Sequence, residues 1–155
     1  MVVHFPVALL ITGFISEIAH FFTRKQFFRQ AGLYLLLLGA AGAVAAWFSG
    51  SAAGDGMEEG ALGRAIALHE AAATRAIWAT LLAAAARLAL EFSKTRYAWA
   101  QVGAFLLYTA SIGATAQTGY FGGQLVFQHG AGVELGLDNF SNDSTLNAGE
   151  KPKAE

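Results

Sequence analysis

The sequence predicts an all-α fold, an integral-membrane antiparallel four-helix bundle, on three observations. Of 155 residues 55% are hydrophobic and only 14% charged, whereas a soluble domain carries about a quarter charged residues. The charges are clustered, so that four long windows are left that only a bilayer suits. Those windows lack the apolar/polar alternation of a barrel strand, and inside lipid the alternative that satisfies every backbone group is the helix. The same composition excludes other classes. A formal net charge of -1, from 10 Lys and Arg against 11 Asp and Glu, offers no basic face to a nucleic-acid backbone. With no cysteine there is no disulfide, zinc ribbon, iron-sulfur cluster, thiolate nucleophile or covalent c-type haem attachment.

The first window, Phe5 to Phe22, holds only Glu17 and His20 as ionisable residues, and the second, Ala31 to Phe48, holds none. The third, Ala71 to Leu90, contains Arg75 and Arg87. The fourth, Tyr97 to Gln128, is uncharged throughout and reads as the cleanest span, longer than the roughly 20 residues a hydrocarbon core of about 30 Å requires. A signal peptide is the competing reading of the first window, but its basic residues follow it rather than precede it, and no small-residue cleavage site is present. Arg24, Lys25 and Arg29 follow the first window and Lys94 and Arg96 the third, while Asp55, Glu58 and Glu59 stand against Arg64 between the second and third. The positive-inside rule then puts both basic connections in the cytoplasm and both termini outside it. Short connections favour up-down packing of neighbours. The expected outer loop is Ser51 to Gly63. Residues 1–130 form the transmembrane domain, and 131–155 a polar tail too poor in apolar residues to build a core, disordered or docked on a partner.

Small residues on the second helix (Gly39, Gly42, Ala43, Ala46, Gly50) and the fourth (Gly103, Ala110, Gly113, Ala114, Gly119, Gly122, Gly123) read first as close helix packing, and second as room for a flat macrocycle. Histidines are more informative, because ionisable residues in spans are costly and face an interior or a cavity. At about 1.5 Å per residue, His4 stands roughly 30 Å from Arg24 and His69 roughly 37 Å from Lys94, on the outer rim. His20 is only about 6 Å from Arg24, at the opposite edge. His129 would lie roughly 50 Å from Arg96 on a straight helix, but Gly122-Gly123 offers a bend that would fold the chain back over the bundle mouth. Three histidines then converge. Helices one and three are diagonal, about 13 Å apart for neighbours 8 to 10 Å apart, a gap that two imidazoles and one iron fill. Each histidine alone is explained as a hydrogen-bonded interfacial anchor; for the three together that reading and a shared partner stand about level. Arg75, about 9 Å deeper than His69, is explained by an ion pair with Glu70 or a backbone contact, with pairing to a haem propionate as the alternative.

A second polar set lies towards the basic loops. Glu17 is seven residues before Arg24 and Arg87 seven before Lys94, so their depths match and an ion pair between helices one and three is expected, with Ser16 and His20 as hydrogen-bonding neighbours. A proton path or quinol site is the functional alternative. No catalytic template fits: His69-Glu70-Ala71-Ala72-Ala73 is not HExxH, and there is no GxSxG. Trp47, Trp99 and Tyr97 read as interfacial anchors and Trp78 as mid-span packing.

The opening VHFPVALL, the His69-Glu70 pair at the start of a long helix and the closing GGQLVFQHGAGV, in that order, resemble the bacterial predicted membrane proteins catalogued as domain of unknown function 2231, over residues 2 to about 133. The resemblance places the family's motif histidines at His4, His69 and His129, and implies a respiratory or redox setting beside c-type cytochrome modules in a bacterial inner membrane. No CxxCH is present, so a cytochrome would be a separate partner. The leading expectation is a small electron-transfer subunit holding a b-type haem near the periplasmic face. His4 and His69 form the first ligand pair, His129 is a substitute ligand or propionate partner, and Arg75 is a candidate propionate contact. The alternatives are a cofactor-free structural subunit of a larger membrane complex, and a copper or zinc ion on His4, His69 and His129.

Overall fold

The computed structural model describes residues 3–54, 60–93 and 97–130. They form four helices and no strand: α1 (His4–Thr23), α2 (Gln26–Gly54), α3 (Gly60–Phe92) and α4 (Ala98–His129). Helix lengths follow the apolar windows but overrun them. The described parts of the expected outer loop from Ser51 to Gly63 are helical, because α2 continues to Gly54 and α3 begins at Gly60, and residues 55–59 lie outside the described residues. His69 therefore does not open its helix; it lies about 14 Å inside it. The polar tail from residue 131 lies outside the described residues.

Helix α4 continues through Gly122-Gly123 to His129, so the chain does not fold back over the bundle mouth there as expected. Successive glycines weaken a helix but do not stop it where each hydrogen bond is made in a medium without water. The helix ends at His129, and Gly130 caps it in the left-handed conformation (φ 64°), its N–H reaching the carbonyls of Leu125 and Val126. Three helices, α1, α2 and α3, are long and apolar enough to cross a membrane. α4 is 32 residues long and uncharged before His129, yet it is not the cleanest span as expected. Lack of charge is not apolarity, and Gln101, Gln117, Gln124, Thr109, Thr115 and Thr118 dilute it.

Contacts between helices run in opposite numerical order, which makes neighbours antiparallel. Along α2, Gly32 meets Glu17 of α1, Gly39 meets Leu10 and Gly42 meets Pro6. Between α3 and α4, Thr80 pairs with Ser111 and His69 with Thr118. The α1–α2 and α3–α4 pairs pack most extensively, α2–α3 less and α1–α4 least, while α1 and α3 have no close backbone approach and form a diagonal, as do α2 and α4. The close approach of α1 and α2 depends on glycine: a Cβ at Gly39 would stand 2.8 Å from Leu10 Cδ2, and one at Gly42 3.0 Å from Pro6 Cβ. Gly39 and Gly42 thus serve packing, whereas Gly50 meets nothing within 4 Å. On α4, Gly122 packs against His69, while Gly103, Gly113, Gly119 and Gly123 have nothing within 4 Å of a Cβ position.

The core is narrow: Leu10, Leu36, Ala40, Ala83, Ala84 and Tyr108, with Phe14, Leu37, Leu81 and Ile112 against it. Tyr108 is fully buried and donates its hydroxyl to the Leu10 carbonyl at 2.8 Å. The Thr80 hydroxyl donates to the Ala76 carbonyl at 2.8 Å. Its single proton is used there, so the bond at 2.7 Å from Ser111 to Thr80 has Ser111 as donor. Most large apolar side chains point outward instead, among them Phe22, Phe27, Leu38, Phe48, Leu82 and Leu106, all more than half exposed. A water-soluble monomer does not carry that much apolar surface; this is a lipid-facing exterior. Trp78, expected to pack mid-span, is 62% exposed and belongs to it.

Candidate functional site

Two polar regions occupy opposite ends of the bundle. At the basic end α1 turns into α2 through Arg24 and Lys25 alone. Arg24 closes α1 in the left-handed conformation (φ 55°), and its N–H bonds to the His20 carbonyl at 2.8 Å. The His20 ring completes the turn, with Nδ1 3.0 Å from the Lys25 carbonyl. A carbonyl only accepts, so Nδ1 carries the proton and Nε2 is left with its lone pair whenever the ring is neutral.

One turn deeper, Glu17 and Arg87 meet across the α1–α3 diagonal, as their matched depths predict. Arg87 Nε donates to Glu17 Oε1 at 2.9 Å and Nη2 makes a second, shorter contact with the same oxygen. Both side chains are about nine-tenths buried. A diagonal separation too wide for backbone contact is bridged by the long guanidinium stem, while α2 contributes the space: a Cβ at Gly32 would lie 2.9 Å from Glu17 Oε1. Ser16 and His20, expected to bond to this pair, do not; Ser16 bonds to the Thr12 carbonyl of its own helix at 2.9 Å. A second interhelical pair, Arg29 to Glu91 at 2.9 Å, joins the start of α2 to the end of α3. Sequence reasoning missed it, although Arg29 and Glu91 each lie about one turn inside a basic connection, which is the same depth signal that located Glu17 and Arg87. Beside these pairs a cavity of about 540 Å³ opens between α1, α3 and α4.

At the far end stand the three candidate histidines. The antiparallel register places His4 at the first residue of α1, His129 at the last of α4 and His69 opposite residues 118–122 of α4, so all three belong to the end remote from the basic turn. They differ in environment. His69 is half-buried, its Nδ1 3.2 Å from the Thr118 carbonyl, and Gly122 leaves its ring space, since a Cβ there would lie 3.2 Å from His69 Cε1. Nδ1 is again the donor, and Nε2 is the free position. A carbonyl held on one ring nitrogen in this way is the arrangement that fixes ligating imidazoles elsewhere. His4 and His129 are exposed. Among the described residues no group of three or more His, Asp or Glu side chains is gathered as a metal site. Arg75 is exposed, and its Nε donates to the Ala71 carbonyl at 3.1 Å, the backbone contact expected as its plainer role.

A bis-histidine haem can be tested against this geometry. His69 Nε2 makes no hydrogen bond among the described residues, and neither His4 nor His129 is gathered with it into a metal-binding group. His20, at the opposite end, is not available to that site. No curated protein and no solved structure is matched by the chain. Residues 1–135 match the family described as predicted membrane protein, domain of unknown function 2231, and the chain belongs to that family.

Proposed function

We propose that this chain is a non-catalytic subunit of a larger membrane redox complex, contributing His69 as an axial ligand to a b-type haem at the end remote from the basic turns. The observation that carries this reading is the His69 tautomer: Nδ1–H is committed to the Thr118 carbonyl, and Nε2 is left as a donor on a half-buried ring. The second ligand is His4 or His129 after the far end closes, or a histidine of an adjoining chain. Arg75 would give up only an exposed backbone contact to pair with a propionate. Such a group supplies reversible one-electron chemistry, and the protein supplies ligation, burial and charge. The basic turns face the cytoplasm on this reading, so the haem sits towards the periplasmic side of a bacterial inner membrane, within reach of a c-type cytochrome partner.

The test is a reduced-minus-oxidised spectrum with metal analysis on protein purified in detergent. A b-type band with stoichiometric iron supports the proposal. A colourless protein carrying stoichiometric copper or zinc favours an ion on His4, His69 and His129. A colourless, metal-free protein leaves the cofactor-free structural subunit, which one observation favours independently: four glycines of α4, Gly103, Gly113, Gly119 and Gly123, have nothing within 4 Å of a Cβ position and are open to close approach by a neighbouring helix.

A further inference from the structure

The cavity at the basic end is amphipathic in one direction. Its polar wall is made by Glu17, His20, Arg24, Arg29, Arg87 and Gln101. Its other wall is aromatic and aliphatic, with Phe21, Phe22 and Val102 at 64%, 77% and 57% exposure, continuous with the lipid-facing surface. The charges on the polar wall do not cancel. Glu17 is consumed by Arg87 and Arg29 by Glu91. Arg24 is left over: its guanidinium carbon lies 5.5 Å from the centre of the Phe21 ring, and among the described residues no carboxylate reaches it. The opening exists because α1 and α4 are the least closely packed neighbours of the bundle. Its volume of about 540 Å³ falls within the range of small-molecule sites.

We propose that this cavity is a binding site for an acidic phospholipid, with the headgroup phosphate on Arg24 and the upper acyl chain along Phe21, Phe22 and Val102. Surplus positive charge argues for an anionic head over a neutral one, and the apolar wall argues for a chain over a free ion. Basic pockets between membrane helices on the side of the positive loops recognise anionic lipid heads in this way. The bound lipid closes the weak α1–α4 seam, so occupancy stabilises the bundle and does not depend on any group at the His69 end. Gln101 and the His20 Nε2 position add neutral polar partners at the same wall.

Arg24 is a suitable probe because its position tolerates change. It sits in the left-handed conformation, which asparagine adopts more readily than arginine, so Arg24→Asn removes the charge without opposing the turn. The full chain in non-ionic detergent is titrated with phosphatidylglycerol, phosphatidylcholine or inorganic phosphate, reading bound lipid by native mass spectrometry and the thermal midpoint in parallel. The site predicts retention of phosphatidylglycerol at least several-fold over phosphatidylcholine, an upward shift of the midpoint with the former only, and a loss of most of that preference in Arg24→Asn. Arg64→Gln, an exposed charge at the far end of α3, should keep it. Equal retention of the two lipids, or an unchanged preference in Arg24→Asn, would overturn the proposal. So would inorganic phosphate alone reproducing the midpoint shift through Arg24, since that is a free-anion site, or a neutral quinone displacing the lipid and binding Arg24→Asn as well as the parent.

Discussion

The two ends of the bundle treat their ionisable residues in opposite ways. At the basic end, Glu17 meets Arg87, Arg29 meets Glu91, and His20 is tied into the α1–α2 turn. At the far end, His4 and His129 are exposed, and His69 has one ring nitrogen committed and one free. A charge inside a membrane span is costly unless it is neutralised or used. The basic end has neutralised its buried charges internally, and of the three arginines that line its cavity Arg24 is left for a ligand. The far end has used one imidazole nitrogen internally, His69 Nδ1 on the Thr118 carbonyl, and has left His4 and His129 exposed. What a chain leaves unspent is the better guide to what it binds.

The comparison is broken most severely by removing one partner of the diagonal pair. Arg87→Ala or Glu17→Ala strands a nine-tenths buried charge, and should cost about 3 to 5 kcal/mol in reversible unfolding from mixed micelles. Replacing both with leucine should recover most of that loss, which separates a structural pair from a proton path. If the double variant is as unstable as the singles, the pair has a role beyond mutual neutralisation.

Next comes the contrast between glycines that touch and glycines that do not. Gly39→Ala places a methyl 2.8 Å from Leu10 Cδ2 and 3.3 Å from its backbone nitrogen, and should cost about 1 to 3 kcal/mol because two helices must move apart. Gly113→Ala meets nothing within 4 Å and should stabilise the isolated subunit by up to about 1 kcal/mol through helix propensity. Loss of co-purifying partners in Gly113→Ala, with the isolated subunit stable, would mark the outward face of α4 as an interface.

Smaller effects follow from hydrogen bonds. Ser111→Ala removes the donor to Thr80 but leaves Thr80 bonded to Ala76, so a loss of about 0.6 kcal/mol is expected, the average for such bonds between membrane helices. Arg29→Gln breaks the more exposed pair, with side-chain exposures of 12% and 31%, and should change stability by a few tenths of a kcal/mol. A larger change there would mean that the two pairs act as one network.

The depths of these groups are legible in the sequence because a helix rises by a constant amount and charges in a span must find a partner. Those two facts alone place Glu17 level with Arg87. The face on which a residue falls is less legible. Gly32 carries no signal of its own in the sequence, yet it is the position that admits the Glu17 carboxylate. Glycine is also an ambiguous marker of helix ends in this chain: Gly54, Gly60 and Gly130 stand at them, and others do not. Ser51, Gly63 and Gly122-Gly123 all lie within helices, since a glycine's preference for turns yields when tertiary packing and the membrane favour the helix. The unbroken course of α4 matters most, because the expected convergence of His129 on the other two histidines rests on the chain folding back at Gly122-Gly123. The end to which the histidines belong is readable; whether they meet is not, since that depends on a partner or a cofactor that sequence spacing does not contain.

The most direct test of the central claim compares three single variants, His4→Ala, His69→Ala and His129→Ala, by reduced-minus-oxidised spectroscopy of the purified protein with iron analysis, His20→Ala serving as control for the turn. The account predicts that His69→Ala alone abolishes the b-type band, that His4→Ala or His129→Ala shifts or weakens it according to which supplies the second ligand, and that His20→Ala retains it. A full-intensity spectrum in His69→Ala, or loss of the band with His20→Ala in an otherwise folded protein, would contradict it.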